Sequence, residues 1–503
     1  MKYNFHAKQF IETDKSPDKI AVAGSDKDID WETLEMSVTK LSAQFKSLSI
    51  PTGHPIIIYG HKECFFPLAI LACIHSNTTY IPIDKIYPID RIKTIIETTG
   101  AQILINCTNK PLDITIAIEI NSALEIKTNY KPNFENKIYG DSKDPIQYIM
   151  FTSGSTGEPK GVQITQNALL TFIDWAVKDF GFTENDVFLN QAPFSFDVSL
   201  GDVLNAFAHG GTLVLNSTDI IKDQVVFFKR ITDYKCSVWT STPSFVFLFL
   251  RHPNFSAEKI SSINTFLFVG EELPNRTCGI LKINFKNAKI LNAYGPTEAT
   301  IVTTLIEITE DIIKKCPSLP IGYPMPGSEL LIEKENEEDK SGELIIVGNH
   351  VSTGYFKNEA INKEKYFIYN GRRAFKTGDI AYYENDMLFY LGRNDDQIKM
   401  NGFRIELNEI SNVICKNNLV TDAVTVALKR NNAVKKIISF IIVKSVMDTE
   451  ELKKQIVSSL EKQLPYYMIP GDFVVVNQFP YSTSHKIDKN KLIDNYLTQQ
   501  TSN

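Results

Sequence analysis

No stretch of this chain comes near the roughly 20 consecutive apolar residues that a helix needs to cross a bilayer. Its longest apolar runs, such as Phe245 to Leu250, suit buried helices or strands. The opening residues MKYNFHAKQFIETDK contain no apolar core of a secretory signal. A basic excess is also missing: 53 Lys and Arg against 59 Asp and Glu leave a net charge of −6. That balance argues against nonspecific nucleic-acid binding. The seven cysteines, Cys64, Cys73, Cys107, Cys236, Cys278, Cys316 and Cys415, are odd in number and form no C-x-x-C pair. A disulfide framework or a zinc site is therefore disfavoured, and reduced, mostly buried thiols in the cytoplasm are expected. There is no internal repeat.

What remains is the profile of a globular protein, 43% hydrophobic and 22% charged. At 503 residues the chain is too long for one ordinary core, so two or more domains are expected. Short runs apolar on both faces alternate with amphipathic stretches. Pro55–Tyr59, Gln102–Ile105, Thr212–Leu215 and Thr265–Val269 read as parallel strands covered on both sides. Glu63–Ser76 reads as a crossover helix between two such strands. From Gly342 the texture changes, and Gly342–Gly348 and Met387–Gly392 look like strands of a small antiparallel or barrel-like unit. The charged segment Gly392–Gln397 (GRNDDQ) reads as a linker or hinge. The expected fold is a large α/β N-terminal domain over residues 1–393, with parallel sheets covered by helices plus a small β-barrel-like subdomain. A small α+β C-terminal domain over 394–503 follows it.

One stretch points to chemistry. Phe151–Val162 reads FTSGSTGEPKGV, directly after the apolar Tyr148-Ile149-Met150. Glycines let the backbone approach a ligand closely, and successive N–H groups form an anion-binding concavity. Thr152, Ser153, Ser155 and Thr156 add hydroxyl donors, and Lys160 adds a mobile positive charge. The combination suits triphosphate oxygens, although it is not a Walker A loop. A flexible surface turn is the plainer alternative.

Three further segments follow in order: NAYGPTEAT at Asn292–Thr300, KTGD at Lys376–Asp379, and GRNDDQIKMNGFRIE at Gly392–Glu406. Together with the loop, this series resembles the adenylate-forming (ANL) superfamily across essentially the whole chain. Within the superfamily the resemblance is to D-alanine–D-alanyl carrier protein ligases and stand-alone nonribosomal peptide adenylation domains. It is carried by GVQIT at Gly161–Thr165, FLNQAPFSFDVS at Phe188–Ser199, VWTSTPSF at Val238–Phe245, TFLFVGEELP at Thr265–Pro274 and LPYYMIP at Leu464–Pro470.

The resemblance implies an AMP-forming amino acid–carrier protein ligase that uses ATP and Mg²⁺. It implies that Thr152, Ser153, Gly154, Ser155, Thr156 and Lys160 cradle the phosphates, and that Glu298 holds the metal. Asn292, Ala293 and Tyr294 would line the adenine slot, with Thr297 also contacting the nucleotide. Asp379 would accept the ribose hydroxyls, and Arg393 would reach ribose and phosphate. Lys486 resembles the catalytic lysine that bridges carboxylate and α-phosphate, although His485 stands where a glycine is usual. Asp395 matches the hinge between the two half-reactions, and Lys399 and Gly402 the residues presented for thioester formation.

Asp197 sets the substrate class. An isolated carboxylate in PFSFDVS is costly, and in the resembled amino-acid activators it pairs with the substrate ammonium. A helix N-cap is the plainer role for it. Val198, Gly201, Val269 and Ala293 would line the same pocket. Gly201 and Val269 stand where the D-alanine enzymes usually carry methionine and cysteine, so the pocket is expected to have changed shape. The partner implied is a small acyl or peptidyl carrier with a phosphopantetheine arm, acting in trans because no carrier motif is found in the chain. Neither nucleic acid nor a membrane span is expected. Adenylation of another amino acid for a natural product, and a non-catalytic nucleotide-binding module, are the alternatives.

Overall fold

The structure, a computed structural model, describes residues 10, 16–134, 140–141, 143–154, 159–430, 433–444, 449–480 and 487–501. It divides into two compact units. One comprises Met1–Lys85, Ile96–Phe151 and Gly161–Asn394; the other comprises Ile86–Ile95, Thr152–Lys160 and Asp395–Asn503.

The first unit is built on two largely parallel sheets. In one, Lys289–Tyr294, Thr265–Phe268, Val238–Ser241, Val187–Asn190, Thr212–Leu215 and Ile20–Ala23 lie side by side and parallel. Antiparallel strands close both of its edges. In the other, Tyr80–Asp84, Ile56–Gly60, Ile103–Asn106 and Ile118–Asn121 form the parallel centre. The strands are short because each is apolar on both faces and has to be covered twice; all four residues of Thr265–Phe268 are buried. The crossover helix is Phe65–His75, and its first ten residues are all buried. A helix apolar all round can only sit inside a core. The C-terminal part of this unit is an antiparallel sheet of Glu329–Glu333, Gly342–Val347, Arg372–Glu384, Tyr366–Tyr369 and Met387–Arg393.

The second unit is α+β. A hairpin of Gln397–Met400 and Phe403–Glu406 turns through Asn401 and Gly402, whose φ values are 53° and 84°. Two positive φ angles in a two-residue loop define the type I′ turn that Asn-Gly favours. Helix Leu407–Cys415 packs on the long pair Val420–Arg430 and Ala433–Val443, with Asp472–Val475 added in parallel. Helices Thr449–Gln463 and Lys489–Thr501 complete it. Gly402→Ala forces a Cβ into the left-handed region and is expected to cost about 1–2 kcal/mol. Urea unfolding followed by circular dichroism measures it, and an unchanged midpoint contradicts it.

The segment Gly392–Gln397 is tighter than its composition implies. Gly392 and Arg393 end one strand and Gln397 begins the next. All seven cysteines are free and five are buried, with Cys316 half-buried and Cys415 exposed. Among the described residues no helix is long and apolar enough to cross a membrane.

Candidate active site

In the second unit, both flanks of the glycine-rich loop meet carboxylates. The Gly154 N–H donates to Glu409 Oε2 at 2.9 Å, and the Ser153 hydroxyl donates to the Arg404 carbonyl at 3.0 Å. Lys160 Nζ stands 3.8 Å from Glu406 Oε1. Burial raises the Glu406 pKa, and Lys160 opposes that shift. Glu409 also pairs with the buried Arg91 at 2.8 Å. A backbone N–H and a lysine that each engage a carboxylate have the chemistry to engage a phosphate oxygen. Thr152 Oγ1 faces the Lys160 carbonyl at 3.5 Å, at the limit of a hydrogen bond. Ser155, Thr156 and Lys486 lie outside the described residues.

In the first unit, Asp379 gathers Tyr294 and Arg393. Tyr294 donates its hydroxyl to Asp379 Oδ2 at 2.5 Å, and Arg393 Nη1 donates to Oδ1 at 2.7 Å. Arg393 Nη2 also holds the Thr377 carbonyl at 3.1 Å. Asp379 is 1% exposed and Tyr294 6%. Burial, and next the neighbouring Asp379, push the Tyr294 pKa well up, so its hydroxyl stays a donor. Tyr294→Phe leaves a buried carboxylate short of one donor and is expected to destabilise the protein by about 1–3 kcal/mol. Thermal unfolding tests this, and an unshifted midpoint contradicts it. Asn292, two residues before Tyr294 on the same strand, uses its amide to hold the Pro320 carbonyl at 2.8 Å.

Glu298 sits in the short turn Thr297–Ala299, fully buried, and accepts the Tyr355 hydroxyl at 2.6 Å. Tyr355 carried no signal in the sequence, because its partner is 57 residues away. The next residues, Thr300 and Ile301, have φ of 53° and 71°. Two consecutive β-branched residues in the left-handed region are strained.

Asp197 is the first residue of helix Asp197–His209, and the N-cap position belongs to Phe196, with no side-chain cap bond. The plainer capping role is therefore not the one this residue plays. Its side chain is 9% exposed and lies close enough to Tyr148 to help raise that hydroxyl's pKa, after burial. Asp197 follows the strand Val187–Asn190, Val269 follows Thr265–Phe268, and Ala293 lies near the end of Lys289–Tyr294. All three thus stand at carboxyl ends of one parallel sheet, where open α/β sheets place their ligands. Val269, Ala293 and Ile301 belong to one buried apolar cluster, and Val198 packs against it. A Cβ added at Gly201 would meet Ile301 Cγ2 at 3.4 Å, so Ile301 bounds the room that this glycine leaves.

In the second unit, Asp395 accepts the Gln397 N–H at 3.2 Å, Lys399 lies on the first hairpin strand and Gly402 in its turn. The residues that sequence reading passed over are Glu406 and Glu409. The pair RIELNE shows two acids three apart, but nothing in it says that their partners are Lys160 and the Gly154 amide, some 250 residues earlier.

Residues 10–356 match the AMP-binding enzyme family. D-alanine–D-alanyl carrier protein ligase from Bacillus licheniformis is 37% identical over 493 residues, which cover 96% of this chain and 97% of that protein. The ligase of the same name from Bacillus cereus is 37% identical over 490 residues, 95% and 97% of the two chains. Among solved structures, the Vibrio cholerae adenylation domain AlmE in complex with glycyl-adenosine-5′-phosphate matches with a TM-score of 0.80 at 20% identity, over 95% of each chain. O-succinylbenzoate CoA synthetase from Bacillus subtilis matches with a TM-score of 0.80 at 21% identity, over 97% of this chain and 98% of that one. Both structural likenesses show the shared fold. With the family match spanning most of the chain and near full-length relatives at 37% identity, the chain belongs to the AMP-binding enzyme family.

Proposed function

We propose that the protein joins the carboxylate of D-alanine to the α-phosphate of ATP, releases pyrophosphate, and passes the aminoacyl group to the phosphopantetheine thiol of a separate carrier protein in the cytoplasm. The attacking carboxylate oxygen forms the bond to phosphorus, and the α–β phosphoanhydride breaks. The carrier sulfur then takes the acyl carbon, and AMP leaves. Such chemistry depends on positioning and fixed positive charge.

In this reading Thr152–Thr156 and Lys160 hold the phosphates, and Asn292, Ala293, Tyr294, Thr297, Asp379 and Arg393 hold the nucleoside. Lys486 bridges carboxylate and α-phosphate. Glu298 suits Mg²⁺, which takes hard oxygen donors and is held by one or two carboxylates beside substrate phosphates. The ion, when bound, neutralises charge on those phosphates. The small domain over 394–503 turns about Asp395 between the half-reactions and then presents Lys399 and Gly402.

The observation that carries the proposal is Asp197, a nearly buried acid in the first turn of its helix, close to the carboxyl end of the parallel sheet. A substrate ammonium compensates such a charge, and a hydrocarbon acid does not. Likeness to the D-alanine ligases selects the substrate. The second reading, another small amino acid, is favoured by Val269 and Gly201. ATP–pyrophosphate exchange over all proteinogenic L- and D-amino acids decides. Exchange with D-alanine supports the first reading and exchange with another amino acid alone the second. No exchange with any of them leaves a non-catalytic nucleotide-binding module.

A further inference from the structure

Behind the segment that carries Asp197 lies a set of charged groups with no part in the chemistry above. Lys62 and Asp84 are fully buried, each 0% exposed, and His61, Asn190 and Asp202 are buried with them. Burial pulls the Lys62 pKa down to about 7 against the attraction of Asp84, Asp202 and Glu63. Burial likewise pushes Asp202 up to about 7, against hydrogen bonds from Thr240 and Asn190 and the charge of Lys62. Taking such groups out of water is costly, and a well-packed apolar side chain in place of a buried ion pair is often as stable or more so. Stability alone therefore does not account for a lysine here.

The geometry does. Lys62 Nζ donates to the Ala192 carbonyl and to Asn190 Oδ1, both at 2.5 Å, and lies 4.1 Å from the centre of the Phe194 ring. That ring is stacked on Phe66 at 4.2 Å. Asp84 takes the Phe194 N–H at 3.1 Å through Oδ2, and its own N–H donates to Ser195 Oγ at 2.7 Å. Asp84 is oriented in turn by His61 Nδ1 at 2.8 Å. The segment just before Asp197 is thus gripped at Ala192, Phe194 and Ser195. Just after Asp197, Asn190 Nδ2 donates to the Ser199 carbonyl at 3.2 Å and to Asp202 Oδ2 at 3.1 Å. Lys62 and Asn190 tie the two sides together.

We infer that Lys62 is a positioning residue for amino-acid binding: through Ala192, Phe194 and Asn190 it sets the place of the Asp197 carboxylate that meets the substrate ammonium. This rests on the reading of Asp197 given above. A misplacement on the order of 1 Å at such a group is enough to weaken binding severely.

A double-mutant cycle tests the inference, with D-alanine or the amino acid selected by exchange as the probe. Lys62→Met is expected to raise the amino-acid KM about tenfold in the parent and less than about twofold in the Asp197→Asn background, because groups coupled through one hydrogen-bond network do not act additively. The KM for ATP is expected to stay within about twofold in both backgrounds. An equal rise in both backgrounds, an equal rise for ATP, or no rise in the parent overturns the inference and leaves Asp197 in its role. If Asp197→Asn alone leaves amino-acid saturation unchanged, the reading of Asp197 fails first and the inference falls with it. Should Lys62→Met not fold, Lys62→Gln, which retains an amide donor, takes its place in the same cycle.

Discussion

Asp197→Ala raises the amino-acid concentration that half-saturates ATP–pyrophosphate exchange by about 100-fold while the ATP requirement holds, because truncating one partner of a buried charge pair costs about 2–5 kcal/mol. The carboxylate is nearly shielded from water and stands in the first turn of its helix, where the helix dipole favours a negative charge. A carboxylate placed there suits a cationic group of the substrate. Asp197→Asn preserves the shape and removes the charge, so it is expected to be nearly as damaging. A measurement of exchange rate against amino-acid concentration, repeated against ATP concentration, separates the two requirements. Unchanged amino-acid saturation removes Asp197 from the pocket, and a parallel loss for ATP assigns it a structural part instead.

Gly295→Ala is expected to cost about 3 kcal/mol or more in stability and to abolish exchange, since an added methyl forced into packed backbone has no rotamer to escape into. Gly295 follows the last residue of the strand Lys289–Tyr294. A Cβ there would stand 2.5 Å from Val302 Cα and 2.9 Å from both the Ile301 carbonyl oxygen and the Thr303 nitrogen. All three are backbone atoms. The segment they belong to cannot easily retreat: Thr303 N–H donates to the Tyr294 carbonyl at 2.7 Å, and Thr300 and Ile301 are already in the left-handed region. Relief would have to unwind the turn that carries Glu298. Thermal unfolding and pyrophosphate exchange on the same preparation give the answer. A variant with the parent's midpoint and rate would show that this loop yields freely.

Much of the architecture was legible in residue order. The run Thr265–Phe268 reads as a covered strand because three of its four residues are large and apolar, and ECFFPLAILACIHS reads as a crossover helix because its apolar core is longer. The Asn-Gly at 401–402 was an available signal that went unused: it specifies a type I′ hairpin from two residues alone. The strand expected to end at Gly392 runs on to Arg393, since an arginine before Asn-Asp-Asp looks like linker but pairs with Asp379.

The candidate site divides along the same line. Gly-rich sequence with hydroxyls and a lysine declares a taste for anions wherever it folds, since the backbone N–H groups and the cation are local properties. The α/β rhythm, the order of the motifs and the family they imply were likewise determined by the sequence alone. What only the tertiary structure decided are the partners: Asp379 with Tyr294 85 residues before it, Glu298 with Tyr355, and Lys62 with Asn190 128 residues on. It also decided that Asp197 starts its helix rather than capping it. Hydrogen bonds and burial at such separations depend on which strands lie side by side, and that is set by the packing of whole sheets rather than by any window of sequence.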